Sequence, residues 1–151
     1  MALVKDTTYT NVFYDHVLQV LRSKIQAEFG SSPVYISPIY APTQNFSVRI
    51  WGTSDVTENI LTDQWTKRYS VDLVIYQITQ NPDQKFWENF YQYSERLYEL
   101  IQNNYNLSGT FGWKDGIITE TNYLEYSDEE DEIEDLYPIK MSFSCLLSRS
   151  N

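Results

Sequence analysis

The stretch KRYSVDLVIYQIT, residues 67–79, limits the fold more than any other part of the chain. Tyr69, Val71, Leu73 and Ile75 alternate onto one face, as a half-buried strand requires, while Ser70 and Asp72 begin the other. From Val74 the second face turns apolar too, through Tyr76 and Ile78, as though another element or chain covered its later half. Such a strand belongs inside a sheet.

The flanking segments supply the rest of a layered fold. In residues 9–29, Phe13, Val17, Leu21 and Ile25 recur at four-residue spacing, with Val20 and Phe29 widening the stripe and Arg22, Lys24 and Gln26 facing away. That is an amphipathic helix; Thr7, Thr8 or Thr10 can cap its start, and Gly30 and Pro33 follow its end. Residues 31–45 hold three of the five prolines and are expected to wrap a sheet edge. FSVRIWG at 46–52 alternates as a strand, and the polar stretch 52–65 reads as a loop with a short helical turn.

A second helix is expected over 82–103, with Asn81 as cap, Pro82 in the first turn and Asp83 at the positive helix end. Phe86, Phe90, Leu97, Leu100 and Ile101 form its buried stripe, and Trp87, Tyr91 and Tyr98 a second, aromatic one beside it. After a turn-rich connection at 106–116, strands are expected over 117–126 and 137–148. The second sets Ile139, Met141, Phe143, Cys145 and Leu147 against Lys140, Ser142, Ser144 and Ser148. The expected fold is therefore one α+β domain over 1–151, in the order α-β-β-α-β-β. Two helices pack on one face of a mainly antiparallel four-stranded sheet, and a long acidic loop joins the last two strands.

That loop carries Asp128, Glu129, Glu130, Asp131, Glu132, Glu134 and Asp135 in eight consecutive positions. They supply seven of the negative charges behind a net charge of −10, so the acidity is concentrated. With no basic cluster to offset it, tight sequence-specific DNA binding is not expected, since phosphate neutralisation supplies most of that affinity. A calcium loop of the EF-hand type needs a central glycine and ligands that converge, and this run has neither. A solvated hairpin tip is the reading that fits. A binding module that recruits divalent ions or a basic partner through the loop is the distant alternative.

Little else suggests chemistry. His16 is the only histidine and sits mid-helix; Cys145, the only cysteine, lies on the apolar face of the last strand. No phosphate-cradling loop, nucleophile elbow or HExxH motif is present, so no catalytic, cofactor-binding or metal residue is assigned and no enzyme is expected. The N-terminal MALVKDTTYT has no signal-peptide run, and no stretch approaches the ~18 apolar residues of a membrane span, so no membrane association is expected. Thirteen tyrosines and four tryptophans exceed what such a core needs. Arg49 and Trp51 on the first strand, with Trp87, Tyr91 and Tyr98 on the second helix, are the candidate subunit-interface residues, because aromatic side chains and arginine are enriched in interfaces.

The order of these elements, with RYSVDLVIYQI and YPIKMSFSCLL as its strands, resembles the head–tail joining proteins of tailed bacteriophages, in particular the tail terminator and tail-completion group. The resemblance spans nearly the whole chain, but the acidic insertion has no counterpart in the family pattern. It implies a virion structural protein of the neck, assembled in the host cytoplasm, that forms a homo-oligomeric, commonly hexameric, ring. Such a ring caps the tail tube, meets the head-side connector and lets DNA pass without binding it tightly. A connector, stopper or tail–baseplate adaptor is the alternative location within the same class. On this resemblance the acidic loop faces the lumen or a partner and discourages adhesion of DNA.

Overall fold

The computed structural model describes residues 9–30, 32–38, 44–60, 64–124 and 135–150. A π-helical turn, Phe13–Leu18, runs into helix α1, Gln19–Glu28. Strand β1, Val34–Ile36, strand β2, Phe46–Ile60, and strand β3, Gln64–Ile78, come next. Helix α2, Gln84–Asn103, then leads to strands β4, Lys114–Tyr123, and β5, Leu136–Ser150. The sheet has five strands in the order β1-β2-β3-β5-β4.

The α+β class stands, with two corrections to the sheet. The proline-bearing segment at the edge contributes a fifth strand, and β1 pairs with β2 in parallel, so the sheet is mixed. It is short, as its prolines dictate, and it lies at the edge where a missing donor costs nothing. The second correction is larger. Most of the stretch 52–65, expected as a loop, is strand: β2 continues to Ile60 and β3 begins at Gln64, and the two pair from Phe46↔Gln77 out to Ile60↔Trp65. β5 follows β3 as far, to Gln64↔Ser150. Every β2 residue from Gly52 to Ile60 is exposed, while beside its first half Tyr69, Cys145 and Leu147 stay in the core, so this strip of β2 leaves the core at its root and ends with β3 and β5 in a projecting arm. Nine residues at strand rise make it about 25–30 Å long. Register shifts at Gly52/Ser54 and Thr57/Asn59 interrupt the β2 ladder, and bulges of this kind add local twist.

The core explains why the elements settle as they do. Val17, Leu21 and Ile25 of the first helical segment are fully buried, together with Phe90, Leu97 and Ile101 of α2. They join Val48, Ile50, Val71, Leu73, Ile75, Ile139 and Phe143 of the sheet in one cluster. Gly30, at φ +66°, takes the left-handed conformation that ends the helix. At Gly52, a Cβ would come within 2.5 Å of the Phe13 ring, which packs edge-on against Tyr69 at 4.8 Å. The glycine thus lets the helix start approach the sheet. Asp83, not Asn81, caps α2: its carboxylate accepts from the Phe86 amide at 2.8 Å, which places Pro82 before the helix.

Trp113 closes the end of α2. It is fully buried in the segment expected to be a plain connection, its indole N–H donates to the Asn104 carbonyl at 2.8 Å, and its ring meets Phe143 edge-on. That anchoring starts β4 at Lys114, three residues earlier than alternation suggests. A second, smaller cluster lies on the opposite face of the sheet, where Val74, Tyr76 and Leu136 are buried with Trp51 and Ile78 packed against them. The apolar later half of that face in β3 is thus covered.

Candidate functional site

Two ends of the sheet carry what is distinctive about this protein. At one end, β4 leads through Leu124 into the acidic connection, and Asp135 returns from it into β5. Asp128, Glu129, Glu130, Asp131, Glu132 and Glu134 lie outside the described residues. Asp135 is half-buried and left-handed at φ 64°, and its carbonyl accepts from the Thr79 amide at 3.0 Å. Leu124 is left-handed too, at φ 61°, and its amide donates to the Pro138 carbonyl at 2.8 Å. Both feet of the acidic segment are therefore tied to the sheet by backbone hydrogen bonds.

The other end carries the arm. Lys67 pairs with Asp55 at 3.0 Å, and Arg68 with Glu58 at 2.6 Å, so β3 supplies the cations and β2 the carboxylates. Hydrogen bonding to Glu58 raises the Arg68 guanidinium further above its ordinary range. Beyond these pairs Ile60 and Trp65 face each other across the strands, 71% and 41% exposed. Sequence reading missed the arm because its residues are polar. The signal was present in the β-branched Thr53, Val56, Thr57 and Ile60, and in carboxylates that find cations on the return strand.

Near the arm's base lies a groove of about 450 Å³, lined by Tyr98, Ile101 and Tyr105 on the α2 side, by Asp115 and Ile117 of β4, and by Arg68. The five residues singled out for subunit contacts are dispersed. Arg49 is buried, its guanidinium 4.3 Å from the Tyr35 ring centre. Trp51 is half-buried beside the smaller cluster on the face away from the helices. Trp87 turns inward, edge-on to Phe86, Phe90 and Tyr137. Tyr91 is exposed and its ring lies 5.0 Å from that of Tyr123, while Tyr98 is exposed on the groove.

The reactive side chains are occupied in packing. His16 stacks on Phe111 with ring centres 4.3 Å apart. Cys145 is buried, and burial pushes its thiol up to about 12 against a small opposing pull from Arg68. Among the described residues no group of three or more His, Cys, Asp or Glu is placed to hold a metal ion, and no helix is long and apolar enough to cross a membrane.

No protein-family model matches the chain, and no curated protein sequence does. Among solved structures, its fold is similar to a chain of the virion of a native gene transfer agent particle. The TM-score is 0.52 at 8% identity, over 90% of this chain and 91% of that one. It is also similar to a chain in the structure of an extracellular contractile injection system, the PVC sheath/tube terminator in its extended state, with a TM-score of 0.58 at 9% identity over 95% of this chain. The present chain spans 57% of that one. A third solved chain matches at a TM-score of 0.53 and 9% identity, over 93% of this chain and 94% of its own. At these identities the shared property is the fold.

Proposed function

We propose that this chain is a structural, non-enzymatic component of a phage-type tail, and within that class a tail terminator. It forms a homo-oligomeric ring, of hexameric order, that caps the tail tube and meets the head-side connector, and DNA passes through it. The observation that carries this reading is the fold shared, over 95% of the chain, with a chain of a sheath/tube terminator structure. The likeness to a virion chain supports the broader class and a place in the particle assembled in the host cytoplasm.

The physical features suit that role. Leu124 and Asp135, the feet of the acidic segment, are tied to one end of the sheet, and a segment so rich in carboxylates suits a role in repelling a passing polyanion. Ring closure by head-to-tail contacts requires two different complementary surfaces on one protomer, and exposed Tyr91 and Tyr98 are available for them. The test is assembly. Tail tubes polymerised with the chain should stop at a defined length and show a ring at one end by electron microscopy. Tubes that keep growing with bare ends overturn the terminator reading.

The virion likeness also accommodates a second location in the same class, a connector, stopper or tail–baseplate adaptor, because that structure is named only as a virion particle and not as a tube end. Antibody labelling of intact particles separates the neck positions from the adaptor: label where tail meets head supports a terminator, connector or stopper, of which only the terminator stops tube growth in the assembly test, and label at the distal tip supports the adaptor.

A further inference from the structure

This inference rests on the ring reading and specifies its contact. The arm tip places Ile60 and Trp65, which face each other across β2 and β3, in solvent at 71% and 41% exposure. The groove presents Tyr98, Tyr105 and Ile117 at 40%, 54% and 48%. A lone exposed apolar residue needs no explanation, but a group at a projecting tip and another around a concavity do. We infer that the arm tip of one copy docks in the groove between α2 and β4 of the next, so that the two features form one head-to-tail interface.

The topology puts knob and hole on different flanks. β2 lies toward one side of the sheet and β4 is the outermost strand of the other. Their heights nearly agree: Arg68, which lines the groove, is three residues from Trp65 on β3, about 10 Å along the strand. A neighbour displaced sideways, with little shift along the strands, therefore meets the groove with its arm. A head-to-tail contact closes into a ring only when successive copies are related by rotation with no shift along the ring axis, and otherwise gives a helical filament.

Charge and area fit a second copy as occupant. The arm's Asp55 and Glu58 are already paired with Lys67 and Arg68, so the arm brings little uncompensated charge to this contact. The exposed strip Gly52–Ile60 with Gln64 and Trp65 can cover several hundred Å², the order that one side of a standard interface needs.

Complementation by mixing tests this on the full chain. The arm variant carries Ile60→Asp and Trp65→Gln; the groove variant carries Tyr98→Lys and Ile117→Lys. Light scattering should give a ring for the wild type, a protomer for each variant alone, and a dimer for their equimolar mixture, which restores one interface per pair. A ring that survives in both variants overturns this inference and leaves the ring reading standing. A wild type that stays monomeric at every concentration overturns both. Trp65→Cys and Tyr105→Cys chains, each close to the native surface, guard against misfolding of the charged variants. Mixed under oxidation they should form a disulfide-linked dimer that neither forms alone; no such dimer overturns the inference.

Discussion

Arg68 donates to both carboxylate oxygens of Glu58, at 2.6 and 3.4 Å, on the part of β2 where every residue is exposed. Together with Lys67–Asp55 it ties the arm's two long strands to each other along the exposed strip of β2. Both partners are more than a third exposed, so water and salt weaken the pair. A double-mutant cycle of Glu58→Gln and Arg68→Ala should give a coupling of about 0.2–1 kcal/mol that shrinks in high salt, with little change in global unfolding.

Trp113 should behave oppositely. It is wholly buried and holds the end of α2 through the Asn104 carbonyl. Trp113→Ala should cost about 3–5 kcal/mol in urea unfolding, and Trp113→Phe, which keeps the ring and loses the donor, about 1–3 kcal/mol. Equal losses for the two would show that the packing of the aromatic ring contributes nothing beyond the hydrogen bond.

The two aromatic stripes of α2 should separate by mutation. Phe90 is fully buried whereas Tyr91 is half in solvent, at 49%. Phe90→Ala should cost about 3–5 kcal/mol and Tyr91→Ala less than about 1 kcal/mol. Melting curves of the two single variants measure the contrast.

Cys145 sets an alkaline limit. Burial raises its thiol to about 12, well above the ~8.5 of an unfolded thiol. Between those values the unfolded chain loses a proton that the folded chain keeps. This contribution to stability is therefore fully present below about pH 8.5 and falls as pH rises, by at most ~1.4 kcal/mol per pH unit, until the folded thiol titrates. Cys145→Ala should flatten that part of the pH–stability curve. In the native wild type, iodoacetamide should leave the thiol unmodified until denaturant is added.

Amide replacement of Asp128, Glu129, Glu130, Asp131, Glu132 and Glu134 should raise non-specific DNA retention in a filter assay at low salt, with the difference vanishing in high salt. Retention equal to wild type would remove the electrostatic role proposed for this segment.

Much of the fold was legible because burial writes periodicity into sequence. The four-residue spacing of Val17, Leu21 and Ile25 and the alternation through Tyr69–Ile75 each report a covered face. The β2 strip of the arm was not legible that way, because a strand exposed along its length has no apolar period; its order comes from ladder hydrogen bonds and cross-strand ion pairs. Trp113 was hidden for another reason: its partners are a helix-end carbonyl and a strand that closes much later in the chain. The candidate interface residues were chosen from aromatic identity alone, which cannot distinguish Trp87, turned into the core, from Tyr98, turned out of it.

β2, β3 and β5 are each fifteen residues long and run as continuous strands from the core into the arm, β2 with two register shifts. β3 is bonded on both sides along nearly this whole length. A pull on the tip along the strands is therefore shared by many ladder bonds loaded in shear, and they must yield together rather than open one at a time like a zipper. Mechanically the arm is a stiff cantilever rooted in the protein's interior, and a load at Trp65 reaches Ile75 through continuous backbone.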